Sequence, residues 1–292
     1  MSDKKFPYLI TSVEEKTNAK LLADFHGERR NFVQVGPKKF LLPSRFEELA
    51  TELYNFQLRP DDVWIRTFPR SGTTLICELV WLLKNNLDFE TAKKMHVFDR
   101  IPFFERAMQY SHELMAETLQ RVQDDTEMED KTVCIIRNPK DTVVSFYHLN
   151  RLQTLYGYKG DFYTPYWEQI KEAWQLRNHP NFLFLFYENV VKDLPGTVRQ
   201  VAEFLDKTLT EANVQRLAEH LNIDNCRQNP SYNMDLQSFR AFMSPGEQGF
   251  VRNGAVGGWR HEGFDAKLSA RADAWITENV TKIPGNFQFP TH

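Results

Sequence analysis

A chain of 292 residues with 36 basic and 39 acidic side chains carries a formal net charge of -3. That balance excludes an overall electrostatic case for nucleic-acid binding, so any anion site has to be local. At 41% hydrophobic and 26% charged residues, the composition is that of a globular protein with ample core, and one domain spanning residues 1–292 is expected.

The first residues, MSDKKFPYLI, lack the apolar stretch of a signal peptide. The most apolar runs, LICELVWLL (broken by Glu78) and FLFLF, fall short of a membrane span. Cys77, Cys134 and Cys226 lie far apart without metal-ligand spacing, which predicts buried free thiols and no metal. A cytoplasmic protein with no membrane or nucleic-acid partner is the expectation.

In chain order, FVQVGPKKFLL at Phe32 to Leu42 alternates around Gly36-Pro37 and predicts a hairpin. Ser44 to Phe56 follows as a helix with a capping box, Glu47 standing three residues after Ser44. Val63 to Phe68 reads as a buried strand, and Gly72 to Asn85 as a helix carrying Leu75, Leu79, Leu82 and Leu83 on its apolar face. The order then repeats: strand Thr132 to Ile136, helix Pro139 to Leu152, helix Tyr166 to Leu176 and strand Asn181 to Tyr187. Helices Thr197 to Leu205 and Glu211 to Leu221 complete it. Strands alternating with helices predict an α/β fold, a central parallel sheet flanked by helices. From about Asn222 the chain is poorer in strands and reads as a functional loop region.

Three stretches carry chemistry. TFPRSGTTL, Thr67 to Leu75, sits between a strand and a helix. Such a turn points several backbone N–H groups and the positive end of a helix dipole into one concavity. Gly72 lets the backbone approach a ligand, Ser71, Thr73 and Thr74 add hydroxyls, and Arg70 adds a forked positive charge. The loop is P-loop-like in geometry without being a Walker A sequence, because Thr73 stands where that motif needs lysine. The alternative is an ordinary capped helix start.

In CIIRNPKDTVVSFYH, Cys134 to His148, Arg137 leaves the C-terminal end of a strand, where ligands of open α/β sheets gather. Ser145 follows eight residues later, about two helical turns on. Together they make a second anion site, or else Arg137 pairs with Asp141 at the surface; both readings stay open. FVRNGAVGGWR, Phe250 to Arg260, has three glycines beside its arginines and suggests a flap.

These stretches, in this order, resemble the cytosolic sulfotransferases. TFPRSGTTL is similar to that family's T-Y-P-K-S-G-T-T-W loop for the 5'-phosphosulfate, and IIRNPKDTVVSFYH to its 3'-phosphate motif. FVRNGAVGGWR is similar to its R-K-G-x-x-G-D-W-K loop. The resemblance implies a cosubstrate, 3'-phosphoadenosine 5'-phosphosulfate (PAPS), with 3'-phosphoadenosine 5'-phosphate (PAP) as product. It further implies a small apolar acceptor bearing a hydroxyl. Arg70, Ser71, Gly72, Thr73 and Thr74 would hold the 5'-phosphosulfate, with Arg70 also the catalytic cation. Arg137 and Ser145 would hold the 3'-phosphate with Arg252, Asn253 and Gly254. Tyr187 would contact adenine, as would the position of Leu75, where the family has tryptophan. Phe103, Phe104 and Phe146 are candidates for the acceptor pocket.

Arg70 replaces the family's lysine, Ile223 its adenine-facing phenylalanine, Asn253 a flap lysine and Gly258 a flap aspartate. No K-T-H-L-P-like segment, which supplies the family's catalytic histidine, lies between Arg70 and Arg137. The histidines there are His96 and His112. A catalytically silent relative that binds PAP or PAPS is therefore the alternative reading. The family's dimer motif, K-x-x-x-T-V-x-x-x-E, has no clear counterpart around Arg260 to Ser269, leaving a homodimer open.

Overall fold

A computed structural model describes residues 4–24, 31–56, 61–101, 103, 131–152, 165–236, 243, 246 and 248–290. His112 and Phe104 lie outside the described residues. Two compact units make up the chain.

The unit containing Met1–Asp62 is built around an antiparallel sheet, β1 (Ile10–Ser12), β2 (Phe32–Val35) and β3 (Phe40–Pro43), in that order. The predicted hairpin is β2–β3, with Val35 opposite Phe40 across the turn and Gly36 at φ +69°, a conformation glycine adopts without steric cost. β1 carries too little alternation to be read from sequence. Helix α2 (Phe46–Tyr54) starts two residues later than expected, and no side chain caps it. The capping box is thus corrected: Glu47 donates its backbone N–H to the backbone carbonyl of Ser44 at 3.0 Å, a bond that owes nothing to the serine hydroxyl.

The second unit comprises Val63–Ile101, Asp130–Leu152 and Trp167–His292. Its parallel sheet has the order β4 (Val63–Thr67), β5 (Lys131–Ile136), β6 (Phe182–Phe186), with Val63 opposite Lys131 and Thr132 opposite Phe182. Central β5 is buried from Val133 to Ile136, whereas β4, at the edge of the sheet among the described residues, is half-buried along its whole length. This corrects the buried strand expected at Val63 to Phe68. The strands lead into helices α3 (Thr73–Lys84), α6 (Pro139–Leu152) and α8 (Tyr187–Lys192), whose starts lie together at the C-terminal end of the sheet.

Leu79, Leu82 and Leu83 of α3 are buried with Val133 and Ile135 of β5, as the helical spacing predicts, while Ile76 takes the fully buried place expected of Leu75, which is half-buried against this core. They meet Val198 and Val201 of α9 (Leu194–Phe204) and Leu217 of α10 (Glu211–His220). Within this apolar face Glu78 is fully buried, bonded to Arg100 at 2.5 Å and to His220 Nε2 at 2.8 Å. Buried carboxylates need such partners. On the other face of the sheet, Phe184 and Phe186 pack with Trp174 and Phe287, the last 5.0 Å from Trp174 between ring centroids.

All three cysteines are buried free thiols, as composition predicts. The expected loop region after Asn222 also holds a long helix, α12 (Ala266–Val280), capped by Asp265, which accepts from Leu268 N at 2.6 Å. No helix among the described residues is long and apolar enough to cross a membrane.

Candidate active site

Between β4 and α3 the chain turns through two left-handed residues, Arg70 at φ +70° and Gly72 at φ +110°. Arginine in this region costs energy, which the surrounding contacts must hold. A Cβ on Gly72 would lie 2.9 Å from both Ile135 Cδ1 and Tyr187 Cδ2, so only glycine lets the loop sit against the sheet. No side chain caps α3 at Gly72. Thr73 Oγ1 instead pairs with Thr67 Oγ1 at 2.6 Å, and the buried Ser71 Oγ has no partner among the described residues. A helix start with uncapped donors leaves backbone N–H groups able to receive an anion. The ordinary capped start, weighed as the alternative, is not what forms.

Arg70 donates Nε to Ser145 Oγ at 3.0 Å and a terminal N–H to the Phe250 carbonyl at 2.8 Å, its guanidinium 5.1 Å from the Phe250 ring centroid. It makes no ion pair among the described residues. Burial, then the charges of Arg137 and Arg252, lower its pKa to about 10. Arg137 is buried, stacks 4.3 Å from the Tyr187 ring centroid, and donates to the carbonyls of Arg70 at 3.1 Å and Ala255 at 2.9 Å. The charges of Arg137 and Arg252 thus oppose the ionisation of Arg70, and a bound polyanion would relieve that cost.

Asp141, the surface partner considered for Arg137, lies inside the protein. Asp141 is buried and serves the flap, accepting from Gly257 N at 2.7 Å and Trp259 N at 3.1 Å. The flap is further held by Tyr187, whose hydroxyl donates to the Gly254 carbonyl at 3.2 Å; burial raises the Tyr187 pKa. Ser145, expected beside Arg137, contacts Arg70 instead, so the two anion positions are joined through α6.

Arg252 is ion-paired with Glu262 and donates Nε to Gln248 at 2.6 Å; Asn253 is exposed. Gly254, at φ +63°, faces Ile223, whose Cγ1 would lie 3.1 Å from an added Cβ. Leu75 packs against the hydrophobic core.

Sequence reasoning missed Asp141, Glu262 and Glu188 as parts of this site. Buried Glu188 Oε1 accepts from Asn138 N at 2.8 Å, beside the start of α6, and burial raises its pKa. Its position directly after Tyr187 was the available signal.

A family profile for the sulfotransferase domain matches residues 60–284. The chain is 27% identical over 299 residues to luciferin sulfotransferase of Photinus pyralis, covering 86% of this chain and 80% of that one. It is 31% identical over 229 residues to human sulfotransferase 4A1, covering 70% and 76%. Among solved structures, retinol dehydratase in a complex with retinol and PAP matches with a TM-score of 0.84 and 31% identity, covering 98% of this chain and 99% of that one. With residues 60–284 matched and the Thr67–Leu75 loop, Arg137 and the Phe250–Arg260 segment drawn together at one end of the sheet, the chain belongs to the sulfotransferase family.

Proposed function

We propose that this protein transfers a sulfuryl group from PAPS to the hydroxyl of a small apolar acceptor, a phenol, alcohol or steroid. The observation that carries this reading is the uncapped start of α3 facing Arg70, Arg137 and Arg252, with Arg70 lowered to about 10 and unpaired among the described residues. The orphaned Ser71 hydroxyl and the missing Cβ of Gly72 fit a phosphate-bearing ligand at the same place. PAP in the complexes of retinol dehydratase supports the nucleotide, and the androsterone and retinol beside it support an apolar alcohol.

When bound, PAPS supplies the activated sulfuryl group. Arg70, Ser71, Gly72, Thr73 and Thr74 hold its 5' end, where the guanidinium and the N–H groups of the first turn of α3 stabilise charge on the departing phosphate. Arg137, Ser145, Arg252, Asn253 and Gly254 hold the 3'-phosphate, and Tyr187 and Leu75 lie toward the adenine. The acceptor oxygen forms the new O–S bond as the S–O bond to phosphate breaks, and its proton leaves to a base or water.

A second reading, binding without transfer, is favoured by the histidine content of Arg70 to Arg137. Buried His96 accepts from Phe98 N at 3.3 Å through Nδ1, where it caps a short helix. Incubation with sulfur-labelled PAPS and a panel of phenols, alcohols and steroids tests both readings. Label in an acceptor supports transfer, PAP binding without transfer supports the silent form, and absence of PAP binding refutes both.

A further inference from the structure

Glu262 lies immediately after the short 3-10 turn Gly258–His261, its backbone N–H bonded to the Trp259 carbonyl at 3.2 Å. That turn is itself tied to α6 by Asp141. The carboxylate is thereby delivered beneath Arg252, ten residues earlier, and one oxygen, Oε2, accepts an Arg252 terminal N–H and lies 3.0 Å from His148 Nε2. The three side chains are 13%, 11% and 17% exposed respectively. A group this enclosed holds a defined orientation, and a charge-assisted bond there is stronger than at an open surface. His148 stands three residues after Ser145, on the same face of α6. One helix thus fixes Arg70 directly, through Ser145, and Arg252 indirectly, through Glu262.

Arg252 needs such a hold. Arg70 and Arg137 carry the same charge nearby, and repulsion would drive a flexible side chain outward before any anion arrives.

We propose that Glu262, oriented by His148, is a positioning residue that keeps Arg252 at the arginine cluster in readiness for the 3'-phosphate end of the nucleotide. The inference rests on the nucleotide-binding reading above for its effect on affinity, but the hold on Arg252 is testable without nucleotide.

PAP affinity is measured by calorimetry for wild type, Glu262→Ala, Arg252→Ala and the double variant. Glu262→Ala is expected to raise the Kd about tenfold, a typical value for losing a bond to a charged group. Glu262→Gln, which keeps an acceptor, should raise it less. In the Arg252→Ala background, Glu262→Ala should change nothing further, because its partner is gone. General damage to the fold would instead weaken binding in both backgrounds, so multiplying effects overturn the proposal. Unchanged or tighter PAP binding by Glu262→Ala also overturns it.

Because Gln248 holds the Arg252 Nε–H, the second readout is the resonance of the terminal N–H bonded to Glu262 in the ligand-free protein, assigned by its loss in Arg252→Lys. It should exchange slowly with water in wild type and rapidly in Glu262→Ala. Should wild type bind no PAP, the functional reading fails, and this resonance alone decides the positioning claim. Equal protection in the two proteins refutes it.

Discussion

Replacing Gly72 by alanine probes the phosphate loop with one methyl group. At φ +110°, an L side chain costs roughly 1–2 kcal/mol from backbone strain alone. The new Cβ would lie 2.9 Å from Ile135 Cδ1 and 2.9 Å from Tyr187 Cδ2, well inside the roughly 3.5–4.0 Å of ordinary carbon contact. Ile135 is fully buried on the central strand and has nowhere to retreat, so overpacking adds roughly 1–3 kcal/mol. The lost freedom of the unfolded chain returns roughly 0.4–1 kcal/mol, leaving a net loss of about 1–5 kcal/mol.

At about 2–4 °C per kcal/mol for a chain of this class, a thermal melt should shift down by about 2–20 °C. Function should suffer beyond stability, because Tyr187 cannot move without disturbing its stack with Arg137 and its bond to the Gly254 carbonyl. Melts followed by tryptophan fluorescence, with PAP calorimetry well below the transition, separate the two effects. An unfolding free energy within about 0.5 kcal/mol of wild type, the range of an inconsequential surface change, would refute the steric reasoning.

Asp141→Ala removes the acceptor for two flap N–H groups and should weaken PAP binding about tenfold or more while the melting temperature falls only modestly; calorimetry beside melting checks this. Glu188 has a raised pKa in the folded protein, so the folded state holds its proton more tightly than the unfolded one. Its stabilising contribution is full below the unfolded value and is lost as pH rises through the folded one. The stability of wild type relative to Glu188→Gln should therefore decline across that rise in urea titrations, and a constant difference would count against it. Phe287→Ala empties a nearly fully buried aromatic position against Trp174 and should cost about 3–5 kcal/mol in the same titrations; a loss under about 1 kcal/mol would mean the C-terminal segment is dispensable.

What the sequence determined by itself was local. Helices Pro139–Leu152 and Tyr166–Leu176 lie where their periodicity places them, because apolar residues at helical spacing bury one face whatever the neighbours. The strand–loop–helix turn at Thr67 to Leu75 was legible because an apolar run, a glycine and then helical spacing follow in succession. Edge or centre could not be read for Val63–Thr67, since its apolar run fits either place and the sheet order is decided by pairing with β5.

Tertiary structure alone decided the wiring of the site. Arg70 meets Ser145 and the Phe250 carbonyl, Arg137 meets the carbonyls of Arg70 and Ala255, and Asp141 meets two flap N–H groups. Most of these partners are backbone atoms, which every residue type supplies equally, so no side-chain pattern announces them. They become neighbours only when three strands align in register and bring the starts of their helices to one end of the sheet.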